Sequence, residues 1–248
     1  MDIRYHTAND YAALRDMEGS DVATLDDADR ACLDALGRHL VRSGACRRFG
    51  VALLHRHFLV TDDELLVETG DVDRRTVEIK PHRRDAALEA ATVPFTVRFA
   101  DPARPGDLIG LEYMARDEAG PDGGFGADCA DALAGLHDIL SAHGKLDRFG
   151  IRTIHHPVRW TEDEVLFEES DVAGRVLSFE VGQRGDPRLA KSVETFWVWE
   201  RALSASGDEI AVTHCPARCE RICVPTGLGH DKRGHDSHGH GHQTGITQ

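Results

Sequence analysis

Apolar residues recur at helical spacing in two separate segments of the chain. The residues concerned are Leu33, Leu36 and Leu40 in the first segment and Leu133, Leu136 and Leu140 in the second. A stripe at this spacing predicts one helix in each segment, with a single face packed against a core. Gly44 and Gly144 stand where a left-handed C-cap would end each helix.

A similar succession of apolar and polar stretches follows each predicted helix. An apolar run at 51–54, with a counterpart at 151–154, predicts a buried strand in each half. Further strands are predicted at 65–68, 76–80 and 93–99 in the first half, and at 165–168, 176–180 and 193–200 in the second. Each half is thus predicted to be a helix followed by about four mostly antiparallel strands.

The two halves also resemble each other in sequence. Sliding the chain by 100 residues aligns 32–80 with 132–180, and about a third of the aligned positions are identical. This predicts an α+β fold of two tandem repeats of about 100 residues, related by a pseudo-twofold axis and followed by a Cys/His-rich C-terminal tail. The predicted divisions are 1–116 for the first repeat, 117–127 for a linker, 128–213 for the second repeat and 214–248 for a metal-binding tail, disordered after about 230.

A His-x-His pair, His55 and His57, follows the first buried run and is predicted to lie on the strand. Alternation would point both imidazoles to one face, which suits a transition metal. The second half keeps His155 but has Pro157 in the place of His57. We predict His55, His57 and His155 as metal ligands. The alternative is a structural role, in which the histidines hydrogen-bond a carboxylate or a carbonyl group.

Acidic residues recur at matching positions of the two halves. Glu64 and Glu68 in the first half correspond to Glu164 and Glu168 in the second. A carboxylate can ligate a metal, orient a histidine or act as a general base. Glu64 and Glu68 are therefore the candidate catalytic residues. The alternative is a solvated turn with ion pairs to the arginines that also recur.

The most specific signal lies near the carboxyl end of the sequence. His214, Cys215, Cys219, Cys223 and His230 fall within 17 residues. Thiolate and imidazole are ligands for zinc, and they also bind nickel, copper or iron. Two prolines favour a loop here, and a loop with these donors can close a tetrahedral site. The histidine-rich run that follows predicts a chelating, disordered tail.

Composition restricts the partners that we expect. The formal net charge is −14, from 43 acidic and 29 basic residues. Such a charge disfavours nucleic acid and anionic membranes, and the chain has no apolar run of about 18 residues. The first 16 residues lack the apolar core of a signal peptide. We therefore expect a soluble cytoplasmic protein, whose cysteines are thiols or metal ligands.

These features favour a transition-metal-binding protein, with zinc as the expected metal. One interpretation is a metalloenzyme whose His/Cys site activates water or dioxygen. A second is a non-catalytic metal carrier or buffer that captures the ion with its histidine-rich tail. A third is a structural zinc that only pins the carboxyl end. The expected partner is a metal ion, together with a client protein for a carrier or a second copy in a homodimer.

Overall fold

The computed structural model of the chain describes residues 2–16, 24–119, 124–154, 158–161, 163–204 and 209–220. The strands within these ranges are β1 (Asp2–Tyr5), β2 (Phe49–Leu53), β3 (Glu64–Asp71), β4 (Thr76–Arg83), β5 (Thr92–Asp101), β6 (Arg104–Ala115), β7 (Phe149–Thr153), β8 (Glu164–Asp171), β9 (Val176–Gln183), β10 (Ser192–Leu203) and β11 (Glu209–Glu220). The α-helices are α1 (Ala8–Ala12), α2 (Asp27–Ser43), α3 (Ala86–Ala91) and α4 (Ala130–Ala142).

The strands close into a barrel. Their order is β6-β3-β4-β9-β8-β11-β10-β2-β7-β5, and β5 pairs with β6 to complete a ring of ten strands. Most neighbours are antiparallel, but β3 pairs with β6, and β8 with β11, in parallel. The strand β1 lies parallel to the first part of β6 and is not a member of the ring. Closure gives each strand of the ring a neighbour on both sides.

The expected fold class, an α+β arrangement of two tandem repeats about a pseudo-twofold axis, is wrong. The strand β2, from the first half, lies between β10 and β7 of the second half. The strand β7 in turn lies between β2 and β5, with Ile151 opposite Val51 at the centre of the β2–β7 register. Because strands of each half lie between strands of the other, one mixed barrel replaces two helix-and-strand units.

The loop predicted around the clustered cysteines is also wrong. Residues 209–220 form β11, which pairs with β10 on one side and with β8 on the other. Phe196 pairs with Ala217 and Val198 with His214, so two residues of β11 lie opposite one residue of β10. This bulge contains Pro216, and a bulge is a position where a strand tolerates proline.

Alternation along the strands separates two apolar cores. Val51 of β2 belongs to an outer core, whereas its neighbour Ala52 belongs to the core inside the barrel. The outer core joins the sheet to α2 and α4, and it includes Leu36, Leu40, Leu136, Leu140, Phe149 and Trp197. The inner core includes Leu66, Ile79, Phe95, Ile109, Leu166, Phe179, Phe196 and Ala217. The helices therefore cover one side of the barrel from outside.

The two main helices have the features that the leucine stripes predict. Asp26 begins α2 with a capping box, and Gly44 ends it with φ at +74°. In α4 the three leucines of the stripe are buried, and Gly144 just beyond the helix has φ at +64°. No helix in the described part of the chain is long and apolar enough to cross a membrane.

Gly50 lies where the barrel wall leaves no room for a side chain. A Cβ atom there would come within 2.5 Å of the Trp197 carbonyl oxygen and 2.6 Å of the Phe196 ring. We expect Gly50→Ala to lower the free energy of unfolding by about 1–3 kcal/mol, because backbone and ring must both move. Gly185→Ala is the matched control, since its Cβ would meet no atom within 4 Å. Urea unfolding measures both variants, and equal losses would contradict the close approach at Gly50.

Candidate metal centre

Two histidines converge just beyond the end of β2. The strand ends at Leu53, so His55 and His57 lie in the connection to β3 and not on the predicted strand. The Nδ1 atom of His55 donates to the Leu53 carbonyl oxygen at 2.8 Å, which leaves the lone pair of the neutral ring on Nε2. That Nε2 atom lies 2.8 Å from Nε2 of His57. The loop thus brings the two imidazoles together, as strand alternation was expected to do.

A carboxylate and a thiol meet the two imidazoles from neighbouring strands. Glu168 of β8 and Cys219 of β11 are directly paired in the parallel register. Leu166 and Ala217, paired two residues earlier, belong to the core inside the barrel. Side-chain alternation puts Glu168 and Cys219 on the same side of their two paired strands, and Cys219 packs with residues of the outer core. The Oε2 atom of Glu168 lies 3.7 Å from Nε2 of His55.

The cluster of His55, His57, Glu168 and Cys219 has the dimensions of a metal site. One donor atom from each residue lies within 4.8 Å of the donors of the other three. Ligands bound at ~2.0–2.3 Å to a tetrahedral zinc ion lie ~3.3–3.8 Å apart. Side-chain rotations that move each donor atom by less than ~1 Å would therefore give the four donors tetrahedral spacing.

Charge and protonation also suit a divalent cation. A thiolate and a carboxylate together carry two negative charges, so a buried divalent ion bound to both is neutralised. Burial and, to a smaller extent, the neighbouring His57 together lower the pKa of His55 to about 3. The His55 imidazole is therefore neutral at physiological pH, which is the form that binds metals.

The other predicted ligands are not in this cluster. His214 and Cys215 precede Cys219 on β11, but His214 lies 3.7 Å from Glu200. The Cys215 thiol contacts the Ala217 carbonyl oxygen at 3.2 Å, and burial raises its pKa to about 12. Cys215 is thus held as a protonated thiol. The predicted ligands His155, Cys223 and His230 lie outside the described residues.

A guanidinium group lies inside the barrel near the cluster. The Arg152 side chain is 7% exposed. Its Cζ atom lies 4.8 Å from the ring centroid of Phe95 and 5.4 Å from those of Phe179 and Phe196. Its ion-pair partner Glu68 is 3.7 Å away, which exceeds hydrogen-bonding distance. Contact with three aromatic faces stabilises the buried positive charge.

Glu68, one of the two candidate catalytic residues, is a buried carboxyl group beside Arg152. Its side chain is 1% exposed, and within the described ranges neither of its oxygens has a hydrogen-bond partner. Burial raises the pKa of Glu68 to about 8, against the opposing effect of Arg152. A carboxyl group with such a pKa can exchange a proton near neutral pH. Glu68 is not among the four clustered donors.

Glu64, the other candidate, takes part in a reciprocal pair of ion pairs between the halves. Glu64 accepts from Arg175, with the closest approach at 2.6 Å, and Glu164 accepts from Arg75 at 2.8 Å. The hydrogen bonds from Arg175 are the main reason why the pKa of Glu64 falls to about 2. Glu64 therefore stays ionised and is a weak base, as the ion-pair interpretation implies.

Glutamine substitutions at Glu68 and Glu64 should change the pH dependence of stability differently. Since Glu68 has an ordinary pKa of 4.5 and a folded pKa of about 8, the wild type loses stability as pH rises through this window. Glu68→Gln removes that loss, so its stability relative to wild type should rise with pH, by up to about 1.4 kcal/mol per pH unit.

Glu64→Gln is the control on the same strand. The folded pKa of Glu64 is about 2, so its stabilisation is present above 4.5 and is lost only as pH falls toward 2. Across the window where Glu68→Gln changes, Glu64→Gln should give a constant offset. Urea unfolding at a series of pH values measures both differences, and a flat profile for Glu68→Gln would show that Glu68 titrates normally.

The centre is thus a buried set of two imidazoles, one carboxylate and one thiol from three separate segments of the barrel. Glu168 was recognised in the sequence only as the counterpart of Glu68, because its position beside Cys219 depends on the β8–β11 register. Comparison of the chain with protein-family models, curated proteins and solved structures gives no match.

Proposed function

We propose that this chain is a metalloprotein with a resident divalent transition metal, zinc by its donor set, bound by His55, His57, Glu168 and Cys219. The observation that carries the proposal is the convergence of these four donors within 4.8 Å of one another. Two nitrogens, one sulfur and one oxygen form a borderline-soft set that suits zinc, while cobalt, nickel, copper and iron bind the same types of ligand.

The tautomer of His55 supports a metal over a purely structural role. Since Nδ1 donates to the Leu53 carbonyl oxygen, the carbonyl acts as the outer-shell partner that commonly orients a metal-bound imidazole. The Nε2 lone pair then points toward His57 and Glu168. In the structural alternative, His57 would donate its Nε2–H to this lone pair, and the carboxylate and thiol would have no reason to complete a four-donor set.

Burial favours a resident ion over a metal in transit. His57, Glu168 and Cys219 are buried, and the His55 side chain is 8% exposed. A carrier needs exposed donors that exchange metal readily, whereas release from this centre requires the barrel wall to open. The histidine-rich tail beyond 230 remains the feature that favours a carrier, and it lies outside the described residues.

The proposed ion would also tie together parts of the barrel that lie far apart in sequence. Its ligands come from the connection after β2, from β8 and from β11. A ligand that binds only the folded protein stabilises it in proportion to the logarithm of its concentration over its dissociation constant. The metal is therefore expected to stabilise the fold as well as to supply chemistry.

Cobalt binding tests which cysteine ligates the metal. With Co(II) added to the full chain, we expect thiolate-to-cobalt charge-transfer absorption that Cys219→Ala abolishes, because Cys219 supplies the thiolate of the cluster. Cys215→Ala is the matched control: it removes another thiol from β11, one outside the cluster, and should keep the absorption. His57→Ala should weaken cobalt binding at least tenfold, since it removes one of four ligands.

The sequence-based alternative, a site within the tail, gives the opposite result. In that case His230→Ala and Cys223→Ala would abolish the thiolate absorption, and His57→Ala would leave it unchanged. Such a result would refute the barrel site. The same titrations give the number of ions per chain and separate this site from binding by histidines of the tail.

Chelation should destabilise the metal-loaded protein. Adding EDTA is expected to lower the midpoint of thermal unfolding by several degrees, since loss of even about 2 kcal/mol shifts this midpoint measurably in a chain of this size. For Cys219→Ala the midpoint should not respond to EDTA. Differential scanning calorimetry with and without zinc measures both, and an equal response of the variant would place the stabilising ion elsewhere.

A further inference from the structure

A small cavity lies against three of the four proposed metal ligands. Its volume is about 30 Å³, and His55, His57 and Glu168 form part of its lining. On the scale where one water occupies about 10–15 Å³, it holds two or three non-hydrogen atoms. Apolar side chains of the inner core form much of the rest of its wall. The cavity is therefore shaped for a very small molecule next to the metal.

Two side chains in the cavity wall offer hydrogen-bond donors to a molecule inside it, namely Arg152 and Thr195. Arg152 lines the cavity, and its guanidinium meets three phenyl faces and a carboxylate that is 3.7 Å away. Thr195, which is 2% exposed, also lines the cavity. Among the described residues, its hydroxyl has no hydrogen-bond partner.

Thr96, the other threonine of the cavity wall, does have a hydrogen-bond partner inside the protein. The Thr96 hydroxyl donates to Oε2 of Glu112 at 2.6 Å, so its hydrogen-bonding capacity is used inside the protein. Buried polar groups are nearly always satisfied, by protein or by a bound molecule. Thr195 and Arg152 therefore place a hydroxyl donor and a guanidinium group where they can bind an acceptor inside the cavity.

We infer that the cavity holds an exogenous ligand of the metal, and that this ligand is water, hydroxide or an anion of two or three atoms held by Arg152 and Thr195. The inference rests on the proposed metal site. It gives the metal an open, fifth coordination position beside the four protein donors, a coordination number to which zinc sites can expand. A metal on one side and a guanidinium on the other stabilise negative charge on the molecule between them.

The size of the cavity limits what the metal can act on. A ligand larger than about three atoms would exceed the volume of about 30 Å³ beside the donors. Water, hydroxide and linear triatomic anions meet the limit, whereas carboxylic acids, sugars and peptides exceed it. The ligand class is thus set by the barrel wall as well as by the metal.

Azide is a suitable probe of this position in the Co(II)-loaded full chain. We expect azide to change the visible ligand-field absorption of cobalt in a saturable manner. The same titration of Cys219→Ala, which keeps the tail but loses the cluster, gives the contribution of cobalt bound elsewhere. Acetate, which is too large for the cavity, should leave the spectrum of the wild type unchanged.

Substitutions in the cavity wall test where the azide binds. Thr195→Val keeps the shape but removes the donor, and it should raise the apparent dissociation constant about fivefold. Thr153→Val is the matched control, since this buried β7 threonine also has no hydrogen-bond partner in the described residues but does not line the cavity. Arg152→Met should weaken azide binding about tenfold or more, and Arg152→Lys, which keeps the charge, should weaken it less.

The outcomes separate this inference from the proposed function. If Cys219→Ala abolishes the cobalt absorption but azide does not alter the wild-type spectrum, the metal site stands and the open position is refuted. Equal azide affinities for the wild type, Thr195→Val and Arg152→Lys would also refute it, since azide would then bind away from these donors. If Cys219→Ala leaves cobalt binding unchanged, the proposed metal site itself fails. Circular dichroism of each variant checks that the barrel is folded. If Arg152→Met does not fold, the azide affinity of Arg152→Lys is used in its place.

Discussion

Pairing of β5 with β6 closes the sheet into a ring, and the remaining features of this protein depend on that closure. A closed ring satisfies the backbone of its own wall and separates an interior from solvent. Inside it, a polar side chain cannot be hydrated by bulk water and must find a partner in the protein or in a bound molecule. The interior of this barrel nevertheless contains Arg152, Glu68 and Glu168, all buried. Such groups are costly without compensation, which is why their arrangement points to function.

The interior charges fall into two groups that use different means of compensation. Arg152 is held against three aromatic faces, and the carboxyl group of Glu68 lies 3.7 Å away. The carboxylate of Glu168 and the thiol of Cys219 lie beside two imidazoles, of which His55 is kept neutral by burial. In the proposed metal centre, a divalent cation would compensate the Glu168 carboxylate and a Cys219 thiolate.

The sequence predicted local elements better than their pairing. The leucine stripes placed α2 and α4 correctly, and the apolar and alternating runs placed eight of the strands near their observed positions, because these signals are local. The predicted fold class was wrong because sequence similarity between the two halves does not determine which strands pair. In the structure β2 pairs with β10 and β7 of the second half and not with strands of its own half. The strand β11 was taken for a loop because Pro216 and the cysteines dominate its pattern, and the bulge that accommodates Pro216 depends on β10. For the same reason the convergence of His55, His57 and Cys219 on Glu168 could not be predicted, although three of the four residues were candidates.

The insertion of β2 between β10 and β7 governs how the chain can reach its native state. The strand β2 (Phe49–Leu53) cannot complete its pairing until β10 (Ser192–Leu203), more than 100 positions later, has been synthesised. Contacts of such long sequence separation slow folding and leave unpaired strands exposed in the meantime. On the ribosome β2 must therefore wait for the second half of the chain, and Cys219 of β11 is synthesised after both histidines of the cluster.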